Sequence, residues 1–185
     1  DVFQVQGDIA AQVAAALGVA LGDQGRRALG VRPTTNLEAY DAYLRGRAEM
    51  RFTIPGVQSA TRQFEHAVAL DSAFGEAWAE LSRARTLGYL LVTPTPELAD
   101  GARDAMQRAA RYAPTQPSTA LARAQYLGIV RGDLSQALET ANTALRVTPN
   151  HVELVTFAGI MERSLGHWEK AVDLLRQAQA LDPRS

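Results

Sequence analysis

The strongest constraint on this chain of 185 residues is an internal recurrence. Leu121, Gly132, Ala137, Ala144 and Pro149 return as Val155, Gly166, Ala171, Ala178 and Pro183, each displaced by 34 residues. Small residues, turn glycines and a closing proline at that period mark stacked helical hairpins, in which each hairpin covers the apolar face of the next. A generic Ala-rich bundle needs no such recurrence. The expected fold class is therefore an all-α solenoid, whose usual work is to hold a partner in a concave groove.

Helix signals extend this pattern through the rest of the chain. Val2, Val5, Ile9, Val13, Leu17 and Leu21 recur every three or four residues, so 2–21 reads as an amphipathic helix. Gly22-Asp23-Gln24-Gly25 ends it, Arg26 and Arg27 follow, and 31–36 forms a linker. From Leu37 the chain reads as helix pairs: 37–52 with 56–70, 74–91 with 96–112, 117–131 with 134–147, and 151–165 with 168–181. Thr95-Pro96-Glu97 is a good helix start, with a capping hydroxyl, proline at the first helical position and an acid near the positive end of the dipole. The expected division is an N-terminal helix and linker over 1–36, then repeats over 37–72, 73–114, 115–149 and 150–183.

These residues resemble the tetratricopeptide repeat family, which places Trp, Leu and Gly in the first helix, Ala and Phe in the second, and Pro at the end. The last repeat carries Ala158, Gly159, Gly166, Trp168, Ala171, Leu175, Ala178 and Pro183. The third carries Ala137, Ala141, Ala144 and Pro149, with Leu121 in the aromatic's place. Trp78, Leu81, Ala102, Met106, Ala109 and Pro114 carry the second, and Ala60, Phe64 and Ala67 the first, where Ser72 replaces the proline. The resemblance implies a right-handed superhelix of about four hairpins, preceded here by the N-terminal helix. Two departures stand out. The second repeat has about eight extra residues, which lengthen its first helix or its loop 91–96. In the first repeat either Gly46 or Ala48 is the small packing residue.

A shorter stretch resembles a bacterial architecture in which a TolB-like segment precedes tetratricopeptide repeats. It comprises Asp1-Val2-Phe3-Gln4-Val5-Gln6, the Ala-rich helix, Arg26-Arg27 and Glu38-Ala39-Tyr40-Asp41-Ala42-Tyr43-Leu44-Arg45-Gly46. The implication is a C-terminal interaction region of a signalling protein, downstream of a cyclase, kinase or winged-helix domain.

Little in the chain points to catalysis. Without cysteine there is no thiolate nucleophile, thiolate metal site or disulfide. His66, His151 and His167 lack the spacing that puts two ligands on one helical face. Neither a phosphate-cradling glycine loop nor a nucleophile elbow occurs, and the carboxylates are spread along helix faces. The expectation is a non-enzyme without metal or cofactor. A formal charge of −1 and a pI near 6.4 lack the basic excess of a nucleic-acid reader. The longest apolar run, 10–21, is too short to span a bilayer. Cysteine usage leaves the cytoplasm and the periplasm equally open. A single lysine, Lys170, among 19 basic residues fits a GC-rich bacterial genome.

The resemblance puts the first helices of the hairpins along the groove. By register, the expected partner-contacting residues are Arg45, Glu49, Glu76, Glu80, Arg83, Arg123, Tyr126, Glu153, Thr156 and Arg163, with Ala79, Val130, Phe157 and Ile160 beside them. Arg and Tyr are types that often dominate binding energy. The Lys and Asn positions by which some family members grip a chaperone's C-terminal carboxylate are missing. The expected partner is a protein or peptide; the alternatives are self-association through the terminal faces and, more remotely, a small-ligand or enzymatic site near the loop 91–96. For stability, Ala171→Leu and Ala144→Leu are expected to overpack, and Ala79→Leu, facing the groove, to be silent.

Overall fold

A computed structural model describes residues 33–183 and, before them, Val5, Asp8, Ile9 and Gln12, which are helical. The rest of the amphipathic helix over 2–21, the linker before residue 33 and most of the TolB-like stretch lie outside the described residues. Among the described residues there is no strand, and no helix is long and apolar enough to cross a membrane.

Asn36–Ser185 form one compact unit. Its helices are α1 (Leu37–Glu49), α2 (Ile54–Leu70), α3 (Gly75–Leu91), α4 (Pro96–Tyr112), α5 (Pro117–Gln125), α6 (Leu134–Leu145), α7 (Val152–Ser164) and α8 (Trp168–Leu181). A π-helical turn, Tyr126–Val130, continues α5. Successive helices pair as four antiparallel hairpins. The starts are chemically marked. The Asn36 side chain accepts from the Glu38 and Ala39 amides, and Thr53, Thr95 and Asp133 each accept from the amide three residues on. The turns at Gly132 and Gly166 have φ of +69° and +85°, the left-handed region where a Cβ is disfavoured.

Small residues set the spacing inside each hairpin. Ala39, Ala42, Ala60 and Ala67 pack around Phe64 in the first, and Ala124, Ala137, Ala141 and Ala158 around Leu121, Leu154 and Phe157 between the third and fourth. Gly46 settles the ambiguity of the first repeat. A Cβ there would lie 2.5 Å from the Phe64 ring, whereas Ala48 is exposed. Trp78 is pinned by its indole N–H, which donates to the Ser72 carbonyl at 2.9 Å, and by Arg108 stacked 4.7 Å from its ring.

The second hairpin departs from the others. Its extra residues enter chiefly as helix, since α3 has 17 residues against 13 in α1 and in α7. α3 lies along α5 and its π turn, while α4 touches α5 only sparingly. The ring of Ala79, Ala109 and Ala122 is the seam where these helices meet. Ala79 is therefore fully buried, contrary to its expected place on an open groove. Ala79→Leu is accordingly expected to cost about 1–3 kcal/mol by overpacking, as is Ala171→Leu in the last hairpin. Urea unfolding of both variants checks this; an unchanged midpoint for Ala79→Leu would refute the α3–α5 seam. Ala144 is only partly buried, so its substitution is the milder one.

The π turn has no counterpart in the sequence reading. The Arg131 amide donates to the Tyr126 carbonyl at 3.1 Å, five residues back, and the Asp133 amide to the Leu127 carbonyl at 3.0 Å. Gly128 lies inside it, and a Cβ there would be 3.1 Å from the Met161 sulfur and 3.3 Å from the Ala137 Cβ. The widened turn coincides with a tight three-way contact of α5, α6 and α7.

Candidate functional site

The first helices α1, α3, α5 and α7 bring polar side chains together across residues far apart in sequence. At the centre is Arg83, only 9% exposed. One guanidinium nitrogen holds both carboxylate oxygens of Glu80, at 2.9 and 3.0 Å, and another donates to Glu153 at 2.5 Å. Its Nε donates to the Gln125 amide oxygen at 3.4 Å. Arg83 and Glu80 stand one turn apart on α3, Gln125 ends α5 and Glu153 lies in the first turn of α7, so one guanidinium ties the second, third and fourth hairpins together.

Burial works against the Arg83 charge, but the two carboxylates more than offset it and hold its pKa above the ordinary value. Glu153 shows the same balance with opposite sign. Burial pushes its carboxyl up, Arg83 pulls it down further, and the net position is below the ordinary range. His151, which caps α7 by accepting the Leu154 amide on Nδ1, is held low by burial.

Next to this centre, Tyr43 of α1 packs on Phe74 with ring centres 5.0 Å apart, and Arg47 lies 5.9 Å from the Tyr43 ring. Burial first, then the nearby Glu80 charge, push the Tyr43 hydroxyl up to about 12. The Glu76 carboxyl, at the start of α3, is raised by burial in spite of a hydrogen bond from its own backbone amide, and has no side-chain partner among the described residues. A half-buried carboxylate in that state favours an incoming cation or hydrogen-bond donor.

The residues expected along one groove are thus distributed over several environments. Glu76, Glu80, Arg83 and Glu153 come together, joined by Tyr43, Arg47, Gln125 and His151, none of which the sequence reading singled out for this role. Glu80 and Arg83 are largely consumed by each other. Arg45 pairs with Asp41 on an exposed stretch of α1, and Glu49 accepts from Ser59 of α2 at 2.7 Å, within its own hairpin. Thr156 and Ile160 are half-buried, Phe157 is buried against the third hairpin, and Arg163 is exposed. Arg123 and Tyr126 lie on the part of α5 and its π turn that faces α4 and α6. There a cleft of about 980 Å³ separates the second helices of the second and third hairpins.

Among the described residues no group of His, Asp or Glu could hold a metal ion. Four stacked hairpins, alanine seams and a polar face along the first helices define an all-α protein of stacked helical hairpins.

No family model and no curated protein matches the chain. Among solved structures, one crystal structure of the MamA protein is 18% identical with a TM-score of 0.48, covering 79% of this chain and 74% of that one. A second MamA structure is 18% identical, with a TM-score of 0.49, and the alignment spans 86% and 85% of the two chains. YrrB, described as a TPR protein with an unusual peptide-binding site, is 16% identical with a TM-score of 0.40, over 82% and 88%.

Proposed function

We propose that this chain is an interaction module that grips a protein or peptide on the face shared by α1, α3, α5 and α7, as the regulatory part of a larger bacterial signalling protein. The observation that carries the reading is Glu76, a half-buried carboxylate without a side-chain partner, beside the Tyr43–Arg47 pair and the Arg83 cluster. A partner segment that offers a cation or amide donors to Glu76 and an acceptor to Arg47 satisfies both. The signalling context rests on the TolB-like stretch at the start of the chain.

The test compares the wild-type protein with Arg47→Glu and Glu76→Lys as bait for lysate of the source bacterium, with bound proteins identified by mass spectrometry. Arg83 is left alone because its removal would disturb the fold itself. Proteins held by the wild type and released by either variant support the reading. Capture of the same proteins by all three sinks it.

One observation favours a second reading, self-association. Trp168, Val172 and Leu181 of α8 are exposed apolar side chains at 65%, 44% and 37%. Light scattering across a concentration series separates the two: a mass that rises with concentration, and falls back with Trp168→Ser, favours self-association.

A further inference from the structure

The cleft between the second and third hairpins follows from the length of α3. Because α3 occupies the flank of α5, α4 is held off it, and a wedge opens with α5 as floor and α4 and α6 as walls. Its lining is largely apolar: Met106 and Ala110 from α4, Leu127 from the π turn, Ala144 at the end of α6 and Val147 just beyond, which is 76% exposed.

Four of the threonine hydroxyls in the lining are committed elsewhere. The hydroxyls of Thr140, Thr143 and Thr148 donate to the carbonyls four residues back at 2.7, 2.9 and 3.0 Å, and Thr119 to the Ala113 carbonyl at 2.8 Å. They offer a guest methyl groups and lone pairs, but no proton. Donors that remain include the Arg123 guanidinium and the side-chain amides of Gln107 and Gln136, which stand on opposite walls, with Thr115 and Gln116 in the turn between α4 and α5. Arg123 is exposed and has no ion pair or side-chain hydrogen bond among the described residues. Among the described residues Glu139 is the one lining carboxylate and has no side-chain partner, and it disfavours a second acid near α6.

We propose that this cleft is a second binding site, separate from the first-helix face, and that it takes an extended peptide segment of a partner protein bearing apolar side chains and one carboxylate. The carboxylate pairs with Arg123, where a guanidinium makes charge-assisted bonds. The apolar side chains cover the Met106, Ala110 and Leu127 surface. Gln107 and Gln136 bond the peptide backbone, a group that both donates and accepts. A volume at the upper end of single small-ligand pockets, with amides on facing walls, suits a peptide segment better than a compact metabolite.

The test is selection of a phage-displayed random peptide library on the whole chain, followed by fluorescence anisotropy with the enriched peptides. Ala110→Trp plugs the cleft and Arg123→Glu reverses its charge; both residues are exposed, so circular dichroism should find the variants folded. The expected peptides combine apolar residues with one Asp or Glu, bind at least roughly tenfold more weakly to either variant, and bind Arg47→Glu unchanged. Selection on Arg123→Glu should replace the acid by Lys or Arg. No enrichment, or enriched peptides that bind both cleft variants like the wild type, overturns the proposal.

Discussion

Replacing Arg83 with Met is expected to lower the free energy of unfolding by about 3–5 kcal/mol. The loss comes from what is left behind more than from what is removed. Glu80 has a side chain only 6% exposed and loses its ion-pair partner, with the more distant Arg47 left as the nearby cation. Glu153, 48% exposed, is screened by water and adds little. For a domain of this size the change corresponds to a fall in melting temperature of about 6–20 °C. Arg83→Met combined with Glu80→Met is expected to recover most of the loss, because an apolar pair of similar volume escapes the desolvation cost of both ions. Thermal and urea unfolding of both variants check this. A single variant within about 1 kcal/mol of the wild type would mean that Arg83 is solvated and that the hairpins are not tied through it.

Phe64→Ala is the second large effect, also about 3–5 kcal/mol, through lost apolar burial and the cavity that remains. Phe64 is fully buried at the centre of the first hairpin, with its ring centre 6.2 Å from that of Tyr43 and its edge against Gly46. The Gly46 contact supplies an internal control. Gly46→Ala alone is expected to destabilise, because its new methyl meets the ring, whereas adding it to Phe64→Ala, where the ring is gone, should cost far less. Denaturant unfolding of the two single variants and the double decides it; additive costs would place Gly46 away from Phe64.

The two largest effects illustrate how differently legible the parts of this molecule were. Phe64, Ala60 and Ala67 could be read from spacing because helix packing depends on residue size at fixed intervals along one element. The same holds for Asn36, Thr95, Gly132 and Gly166, whose roles depend on neighbours within a few positions. Arg83 was legible only as a charged residue on a first helix. Its pairing with Glu153, 70 positions away, is invisible to local periodicity, and its burial turns an expected contact residue into a tie between hairpins. Ala79 was misread for a related reason: the register that faces the groove in a regular array meets α5 here, since the long α3 changes which helices touch.

The 34-residue recurrence, the capping side chains and the alanine positions are local in sequence, and they determined on their own that the chain folds as successive helical hairpins. Tertiary structure alone decided how the second hairpin leans on the third, which side chains share the face of the first helices, and where the cleft opens between α4 and α6. The physical reason is that stacking depends on the lengths and mutual offsets of whole helices, and one extended helix redirects contacts that no window of sequence contains.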